Sequence, residues 1–230
     1  MIANFSSIDY LNAVFGIGRS PIAYQFWFIR DLMLLVLLVP IIGYLNKVAA
    51  LPFLLILFLM WFFGGWPFYS PSVEATLFFS TGCYLGYVGR DLFTLDRYGH
   101  VAVVLFTLTA ILAALALQFD HNDYFYVYKV SMVFGVPAAL YATKLVVSRP
   151  KIRNILLSLG QASFFVFAAH EPLLTIGRKL AYKIIQPDSS YWVLLVYFLE
   201  PTCVIIIFVV IYRFLSTHLV NFTRVITGGR

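Results

Sequence analysis

Residues 162–174 combine an apolar stretch with side chains that can move protons. His170 and Glu171 are adjacent there, and Pro172 follows them directly. An ionisable side chain inside an apolar run is costly and usually faces a protein interior or a watery cavity. Pro172 has no N–H, so it frees a backbone carbonyl one turn earlier and favours a kink. Because an imidazole titrates near neutral pH, His170 is the candidate general base, with Glu171 as a second catalytic candidate.

The two adjacent residues are not natural partners. Neighbours on a helix point about 100° apart, since one turn takes about 3.6 residues. We therefore expect the group that orients His170 to come from another helix rather than from Glu171.

Composition places the chain among integral membrane proteins. Of 230 residues, 62% are hydrophobic and 11% are charged, and the mean hydropathy is +0.90. Soluble domains carry about 25% charged residues. The net charge of +6 is typical of cytoplasmic loops in a membrane protein, so nucleic-acid binding is not expected.

Hydropathy predicts an all-α fold, a polytopic transmembrane bundle of about seven helices within one domain spanning residues 1–230. A crossing takes about 20 apolar residues. Residues 1–22 have no basic segment followed by an apolar core, so they read as an external lead-in and not as a secretory signal. The predicted spans are 24–45, 48–64, 72–89, 100–119, 124–147, 155–176 and 191–215, with a tight hairpin at Asn46–Lys47.

Loop charges predict the orientation. Lys and Arg concentrate after the first, third, fifth and seventh spans, whereas residues 65–71 and 120–123 contain none. The positive-inside rule then places the N-terminus outside and the C-terminus inside. Three cations after the sixth span break this pattern, and we interpret them as an amphipathic continuation of that helix: Arg178, Lys179 and Lys183.

This topology places several ionisable residues at similar depth in the outer half of the bundle. Charges at membrane depth are seldom unpaired, so we expect them to converge on one pocket with His170 and Glu171. In the alternative interpretation, Arg30 and Asp31 only pair with each other near the interface, and Lys129 extends its stem outward. The predicted substrate-binding residues are Arg30, Asp31, Lys129 and Glu200.

A second group of cations lies on the predicted inner face. Arginine and lysine bind phosphates well, so this group is a candidate site for a phosphorylated cytoplasmic ligand. The positive-inside rule alone is the alternative explanation. No glycine loop for phosphates, metal-ligand pair or nucleophile elbow is recognised in the sequence. The predicted ligand-binding cations are Arg90, Arg97, Arg149, Lys151 and Arg153.

Three segments together resemble the membrane acyltransferase 3 family. FWFIRDL at residues 26–32, continuing to Pro40, is similar to a central helix of that family. FFSTGCYLG at residues 78–86 resembles the helix that follows it, and SFFVFAAHEP at residues 163–172 resembles a late helix with a Ser-Phe-x-x-x-x-x-His pattern. The closing TGGR at residues 227–230 is similar to the tail of some bacterial members.

The resemblance implies an enzyme of the bacterial inner membrane that moves an acyl group, commonly acetyl from acetyl-CoA, to a sugar hydroxyl of a surface or exported glycan. No permanently bound cofactor is implied. The inner cations would meet the CoA phosphates, and the outer pocket would meet the sugar.

One departure from the family pattern concerns its early helices. Members commonly have about ten helices, and an early one carries a basic residue about ten positions before a histidine. Arg90 stands ten positions before His100, but both follow the third predicted span and not an early helix, and no Lys or Arg stands in that relation to His121, His170 or His218. We therefore expect this chain to match the last seven helices and to transfer little without the earlier ones. The alternatives are a transporter or flippase for a lipid-linked sugar, and an inactive fragment.

Overall fold

A computed structural model describes residues 6, 9–12, 16, 26–90, 96–119, 124–186 and 189–227. Within these ranges the chain is helical and contains no strand, which confirms the predicted all-α membrane fold. The chain divides into two compact units, unit 1 (Met1–Ser148) and unit 2 (Arg149–Arg230). The predicted lead-in at residues 1–22 lies mostly outside the described residues, and the single domain over residues 1–230 stays a prediction.

Five of the described helices are long and apolar enough to cross a membrane. They are α2, α4, α5, α6 and α7, whereas α1 and α3 have only 11 and 16 residues. The helices are α1 Trp27–Leu37, α2 Val39–Phe63, α3 Val73–Val88, α4 Gly99–Gln118, α5 Tyr124–Val147, α6 Pro150–Ile185, α7 Ser190–His218 and α8 Val220–Thr227.

The first two predicted spans correspond to α1 and α2, but the observed helix boundaries differ from the predicted ones. Helix α1 ends at Leu37, and α2 begins two residues later at Val39. Pro40 explains this break, because it has no N–H to donate to the carbonyl of Val36. The predicted hairpin at Asn46–Lys47 is wrong in position, since α2 continues through both residues and has non-helical backbone angles at Ala49 (φ −147°, ψ 48°).

The chain bends back at Ala49. The backbone N–H of Ser72 donates to the Asp31 carboxylate at 2.8 Å, although α2 separates the two residues. A straight helix from Asp31 to Phe63 would be about 48 Å long at 1.5 Å per residue. The connection from Phe63 to Ser72 reaches at most about 32 Å when fully extended. A sharp bend is therefore required, and Ala49 supplies it.

Helices α2 and α3 pack through a small apolar core. Leu57, Trp61 and Leu77 are buried together there. Asn46 also joins these two helices. It is 3% exposed, and its side-chain amide donates a hydrogen bond to the backbone carbonyl of Ser80 at 3.1 Å. A polar residue that marked a predicted turn thus holds two helices together inside unit 1.

Helices α4 and α5 form a close antiparallel pair. Gly99 lies against Tyr141 so tightly that a Cβ atom on the glycine would be 2.1 Å from Cδ2 of the tyrosine ring and 2.7 Å from its Cβ. At the same end, Lys144 Nζ is 2.6 Å from Asp96 Oδ2. The absence of a side chain at Gly99 and this ion pair set the register of the two helices.

Replacing Gly99 with alanine is therefore expected to lower the free energy of unfolding by about 1–3 kcal/mol, the usual cost of overpacking. The Tyr141 side chain cannot simply rotate away, because its own Cβ is one of the clashing atoms. Gly43→Ala is the matched control, since a Cβ at that helical glycine meets nothing within 4 Å. Equal unfolding midpoints for the two variants in an SDS titration would show that the contact does not constrain the pair.

Unit 2 contains α6, α7 and α8. Ala162 of α6 is fully buried against Val209 and Tyr212 of α7. Arg213 also donates to the Ser158 hydroxyl at 2.9 Å, which joins the same two helices nearer the start of α6. Helix α6 has 36 residues and extends past the predicted span at both ends. The expectation that this helix continues through the three cations after residue 176 is confirmed.

Candidate functional site

Asp31 in unit 1 is fully buried and accepts hydrogen bonds from several directions. Arg30 donates to Asp31 Oδ1 through Nη2 at 2.9 Å and through Nε at 3.1 Å. The Ser70 hydroxyl donates to the same oxygen at 2.7 Å, and the backbone N–H of Ser72 donates to Oδ2 at 2.8 Å. Both carboxylate oxygens are therefore satisfied by the protein itself.

These contacts fix the connection between α2 and α3. Ser72 is the N-cap of α3 and accepts from the Ala75 backbone N–H at 3.3 Å, so Asp31 holds the residue that begins the helix. The Trp66 indole donates to the Pro71 carbonyl at 2.9 Å and steadies the same segment. Arg30 also donates to the Gly16 carbonyl and lies 5.5 Å from the Tyr69 ring centroid. The Arg30–Asp31 pair thus anchors a loop, while its predicted role in binding substrate stays a prediction.

Lys129 points into unit 1. Its side chain is 3% exposed and donates to the backbone carbonyls of Trp61 and Phe62, the latter at 3.0 Å. These carbonyls belong to the last turn of α2, which has no intrahelical donors for them and carries the negative end of the helix dipole. Nζ also lies 3.9 Å from the Phe125 ring centroid. The structure therefore favours neither an outward extension of the lysine stem nor a pairing with the predicted acids.

A cavity of about 340 Å³ lies beside the loop anchor in unit 1. Its walls come from α1, α3 and Met132 of α5, and they are apolar except for Asp31, Ser72 and Glu74. Asp31 lines this cavity, but its oxygens already accept from Arg30, Ser70 and Ser72.

His170 lies on α6 in unit 2, and its own helix orients the ring. Nδ1 is 2.8 Å from the Phe167 carbonyl oxygen and 3.2 Å from that of Val166. A carbonyl can only accept, so Nδ1 must carry the proton in this arrangement. In the neutral ring with this tautomer, Nε2 has the lone pair and is the nitrogen that can take a proton. The expectation of an orienting partner on another helix is wrong, because carbonyls three and four residues back were within reach.

His170 lines a cavity of about 390 Å³ between α6 and α7. Ser163 lines it too, because seven residues make about two helical turns and return the side chain to the same face. The Ser163 hydroxyl donates to the Gly160 carbonyl at 2.7 Å. The remaining lining residues are apolar: Leu159, Val166, Phe167, Leu174, Pro201, Val204, Ile205 and Val209.

Glu171 does not line this cavity. It is partly buried and accepts from the Thr175 hydroxyl at 3.3 Å. This placement agrees with the argument that adjacent helix residues diverge, and the catalytic role of Glu171 stays a prediction.

Glu200 has a partner that the sequence did not suggest. Its Oε2 lies 3.6 Å from Arg178 Nε, and both residues line a further cavity between α6 and α7. Arg178 follows His170 and Leu174 at intervals of four residues, which places all three along one side of α6. The spacing in the sequence indicates that these three side chains share one side of α6. It does not indicate that α7 packs against that side.

The predicted inner cations fall into both units. In unit 1, Arg90 is exposed just after the end of α3, and Arg97 stacks on the neighbouring Tyr98 with its guanidinium carbon 4.4 Å from the ring centroid. In unit 2, Arg149 is the N-cap of α6, and two more exposed cations lie in the first turn of that helix, Lys151 and Arg153.

The predicted outer residues also divide between the units. Unit 1 contains Arg30, Asp31 and Lys129, and unit 2 contains His170, Glu171 and Glu200. Their convergence on one pocket stays a prediction. Within unit 2, two cavities that share Leu174, Pro201 and Ile205 place His170 and Glu200 along the same pair of helices.

Comparison with known proteins identifies the family. A family model described as an acyltransferase domain, Acyl_transf_3, matches residues 3–216. The chain is also similar to the succinoglycan biosynthesis protein ExoH of Rhizobium meliloti (strain 1021), with 25% identity over 99% of this chain and 61% of that relative. The chain therefore spans about three fifths of the curated relative's length. No solved structure matches it. Because the family model covers nearly the whole chain, the resemblance in the sequence is confirmed, and this protein belongs to the acyltransferase 3 family.

Proposed function

We propose that the chain is a membrane O-acyltransferase that moves an acyl group, acetyl in the first instance, from acyl-CoA to a sugar hydroxyl of a surface or exported glycan. The family match supports acyl transfer, and the relative named for succinoglycan biosynthesis supports a glycan as acceptor. The observation that carries the proposal is the His170 ring, held by two backbone carbonyls at the wall of a cavity.

The reaction needs a base at the acceptor hydroxyl. His170 Nε2 takes the hydroxyl proton while the oxygen attacks the carbonyl carbon of the thioester. The new C–O ester bond forms, the C–S bond breaks, and the proton passes from the imidazolium to the leaving thiolate of CoA. The apolar walls keep bulk water away from the thioester, which limits hydrolysis as a side reaction.

The donor would be held by cations on the inner side. Arg149, Lys151 and Arg153 surround the N-terminus of α6, where the helix dipole adds positive potential. A guanidinium binds phosphate through two parallel hydrogen bonds, and an ammonium binds it as a point charge. Arg90 and Arg97 of unit 1 stay separate candidates for binding the phosphates of acyl-CoA.

We place the protein in a bacterial inner membrane with its N-terminus outside and its C-terminus inside. This orientation rests on the loop charges and the positive-inside rule. It puts His170 and Glu200 toward the outer half of the bilayer, where an exported glycan is accessible, and the donor cations on the side of cytoplasmic acyl-CoA.

The test is transfer of labelled acetyl from acetyl-CoA in membranes. Membranes containing the chain, and membranes containing the chain extended into its upstream reading frame, are incubated with the label, and glycan is then isolated. Label in glycan that depends on either protein supports acyl transfer. Glycan without label in both cases, together with movement of a lipid-linked sugar across the membrane, would instead support a transporter.

A further inference from the structure

A second cavity in unit 2 adjoins the one lined by His170. It has a volume of about 380 Å³ and shares Leu174, Pro201 and Ile205 with its neighbour. Unlike that neighbour, it contains an ion pair, formed by Arg178 and Glu200. The two cavities thus form one groove along α6 and α7, apolar at one end and charged at the other.

Glu200 has one carboxylate oxygen without a hydrogen-bond donor. Its side chain is 10% exposed, and Oε2 lies 3.6 Å from Arg178 Nε. Oε1 is buried and accepts from no group in the part of the chain that the structure describes. Gly177 makes room for it, because a Cβ there would be 3.2 Å from Oε1. A buried carboxylate oxygen is rarely left in this state, so a donor from a ligand would be favourable here.

Arg178 adds donors beside this acceptor. Its side chain is 59% exposed, and its pairing with Glu200 uses Nε. The guanidinium carries four further N–H donors on its two terminal nitrogens. A sugar presents hydroxyl groups that each donate and accept, so one can donate to Glu200 while another accepts from Arg178. The two charges compensate each other, which favours a neutral polyhydroxy ligand over a free anion or cation.

The distance to His170 separates this site from the reacting hydroxyl. Arg178 follows His170 by eight residues on one continuous helix, which corresponds to a rise of about 12 Å. A single hydroxyl cannot give its proton to His170 and also bind Glu200. A hydroxyl bound at the charged end of the groove would therefore belong to another part of the acceptor than the reacting hydroxyl.

We infer that Arg178 and Glu200 form a second acceptor subsite, which holds a sugar unit of the same chain as the one that is acylated. The inference rests on the proposed function for its choice of ligand. It makes the acceptor an oligosaccharide or polysaccharide and not a single sugar, and it makes Gly177 a positioning residue for the Glu200 carboxylate.

The test is binding of the purified full chain, in lipid nanodiscs, to an array of neutral oligosaccharides of one to six sugar units. Two hydrogen bonds to charged groups correspond to an affinity gain of about tenfold or more. We expect the wild type to show this gain from monosaccharide to longer sugars of one series. Glu200→Leu removes the acceptor, so this variant should bind long sugars as weakly as single ones. Gly177→Ala shifts the acceptor by a few tenths of an ångström, so it should reduce the gain with length.

Gly160→Ala is the matched control, because a Cβ at this glycine of the same helix meets nothing within 4 Å. It should keep the dependence on length. Wild-type binding that does not rise with length, binding of no sugar on the array, or an undiminished length gain in Glu200→Leu and Gly177→Ala would each overturn the inference.

Because binding needs no acyl donor, the outcome is independent of transfer. Label transfer without the length effect would leave the proposed function standing and remove the subsite. A length effect that requires Glu200, without label transfer, would support the subsite and contradict the proposed function.

Discussion

Asp31→Asn is expected to lower the free energy of unfolding by about 3–5 kcal/mol, the usual cost of removing one partner from a buried ion pair. The amide removes the negative charge that faces the Arg30 guanidinium, and its NH₂ group, which only donates, leaves either Ser70 or Ser72 without an acceptor. Arg30, whose side chain is 16% exposed, would then be a largely buried cation that pairs with no carboxylate among the described residues. The loop between α2 and α3 would lose its anchor as well.

The measurement is an SDS titration of the purified protein in mixed micelles, followed by tryptophan fluorescence. Glu171→Gln is the matched control, because it is also a carboxylate-to-amide change at a partly buried residue, whose hydrogen bond to Thr175 is long at 3.3 Å. We expect that control to shift stability by no more than about 0.5 kcal/mol. Similar losses in both variants would mean that Asp31 does not anchor the loop, whatever its contacts.

A smaller substitution separates the loop contacts from the ion pair. Ser70→Ala removes one hydroxyl donor to Asp31 and leaves Arg30 in place, so it should cost about 1 kcal/mol, the typical net value of one hydrogen bond. A loss for Ser70→Ala as large as that for Asp31→Asn would place the stabilising contribution in the loop and not in the charge pair.

Hydropathy predicted the existence of the helices well and their junctions less well. Apolar runs of sufficient length depend only on local composition, so α5 was predicted with its observed ends, Tyr124 and Val147. The bend at Ala49 had a signal in Pro52, which has no N–H for the carbonyl of Val48 one turn earlier and therefore favours a kink there. The polar Asn46 suggested a turn instead. Its burial depends on Ser80 of another helix, which no local pattern contains.

The candidate site divides in the same way between local and non-local information. That Arg30 and Asp31 pair with each other was the alternative interpretation of the sequence, and the structure shows this pairing. That the pair also binds the segment before α3 depends on the bend in α2. The sequence left open whether Lys129 points inward or outward. In the structure it points inward, because its ammonium group donates to two backbone carbonyls at the end of α2.

Unit 2 shows which features of a helix can be inferred without its neighbours. Side-chain directions follow from helix periodicity, so Glu171 was expected to diverge from His170, and Ser163 shares the cavity with His170 two turns away. The cavity walls and the Arg178–Glu200 pair depend on α7, which packs antiparallel to α6. Helix periodicity predicts which side chains share one face of a helix. Which residues contact that face depends on how the helices pack.

His170→Gln is expected to lower the rate of acyl transfer by about 10²–10⁴-fold, the usual contribution of a general base. Glutamine has similar size and can still hydrogen bond to the acceptor hydroxyl, but it cannot take its proton. The loss should therefore appear in kcat, with little change in the KM for acyl-CoA. It is measured with labelled acetyl-CoA in the membranes that show transfer.

His218→Gln is the control for this substitution. His218 lies in the last turn of α7, and its Nδ1 is 3.0 Å from the Phe214 carbonyl, the same local contact that His170 makes four residues back. His218 does not line the cavity of His170. If the reduced rate came only from losing a histidine that stabilises its own helix, both variants would slow alike. A loss confined to His170→Gln assigns the proton transfer to the cavity, whereas full activity in His170→Gln would require another base.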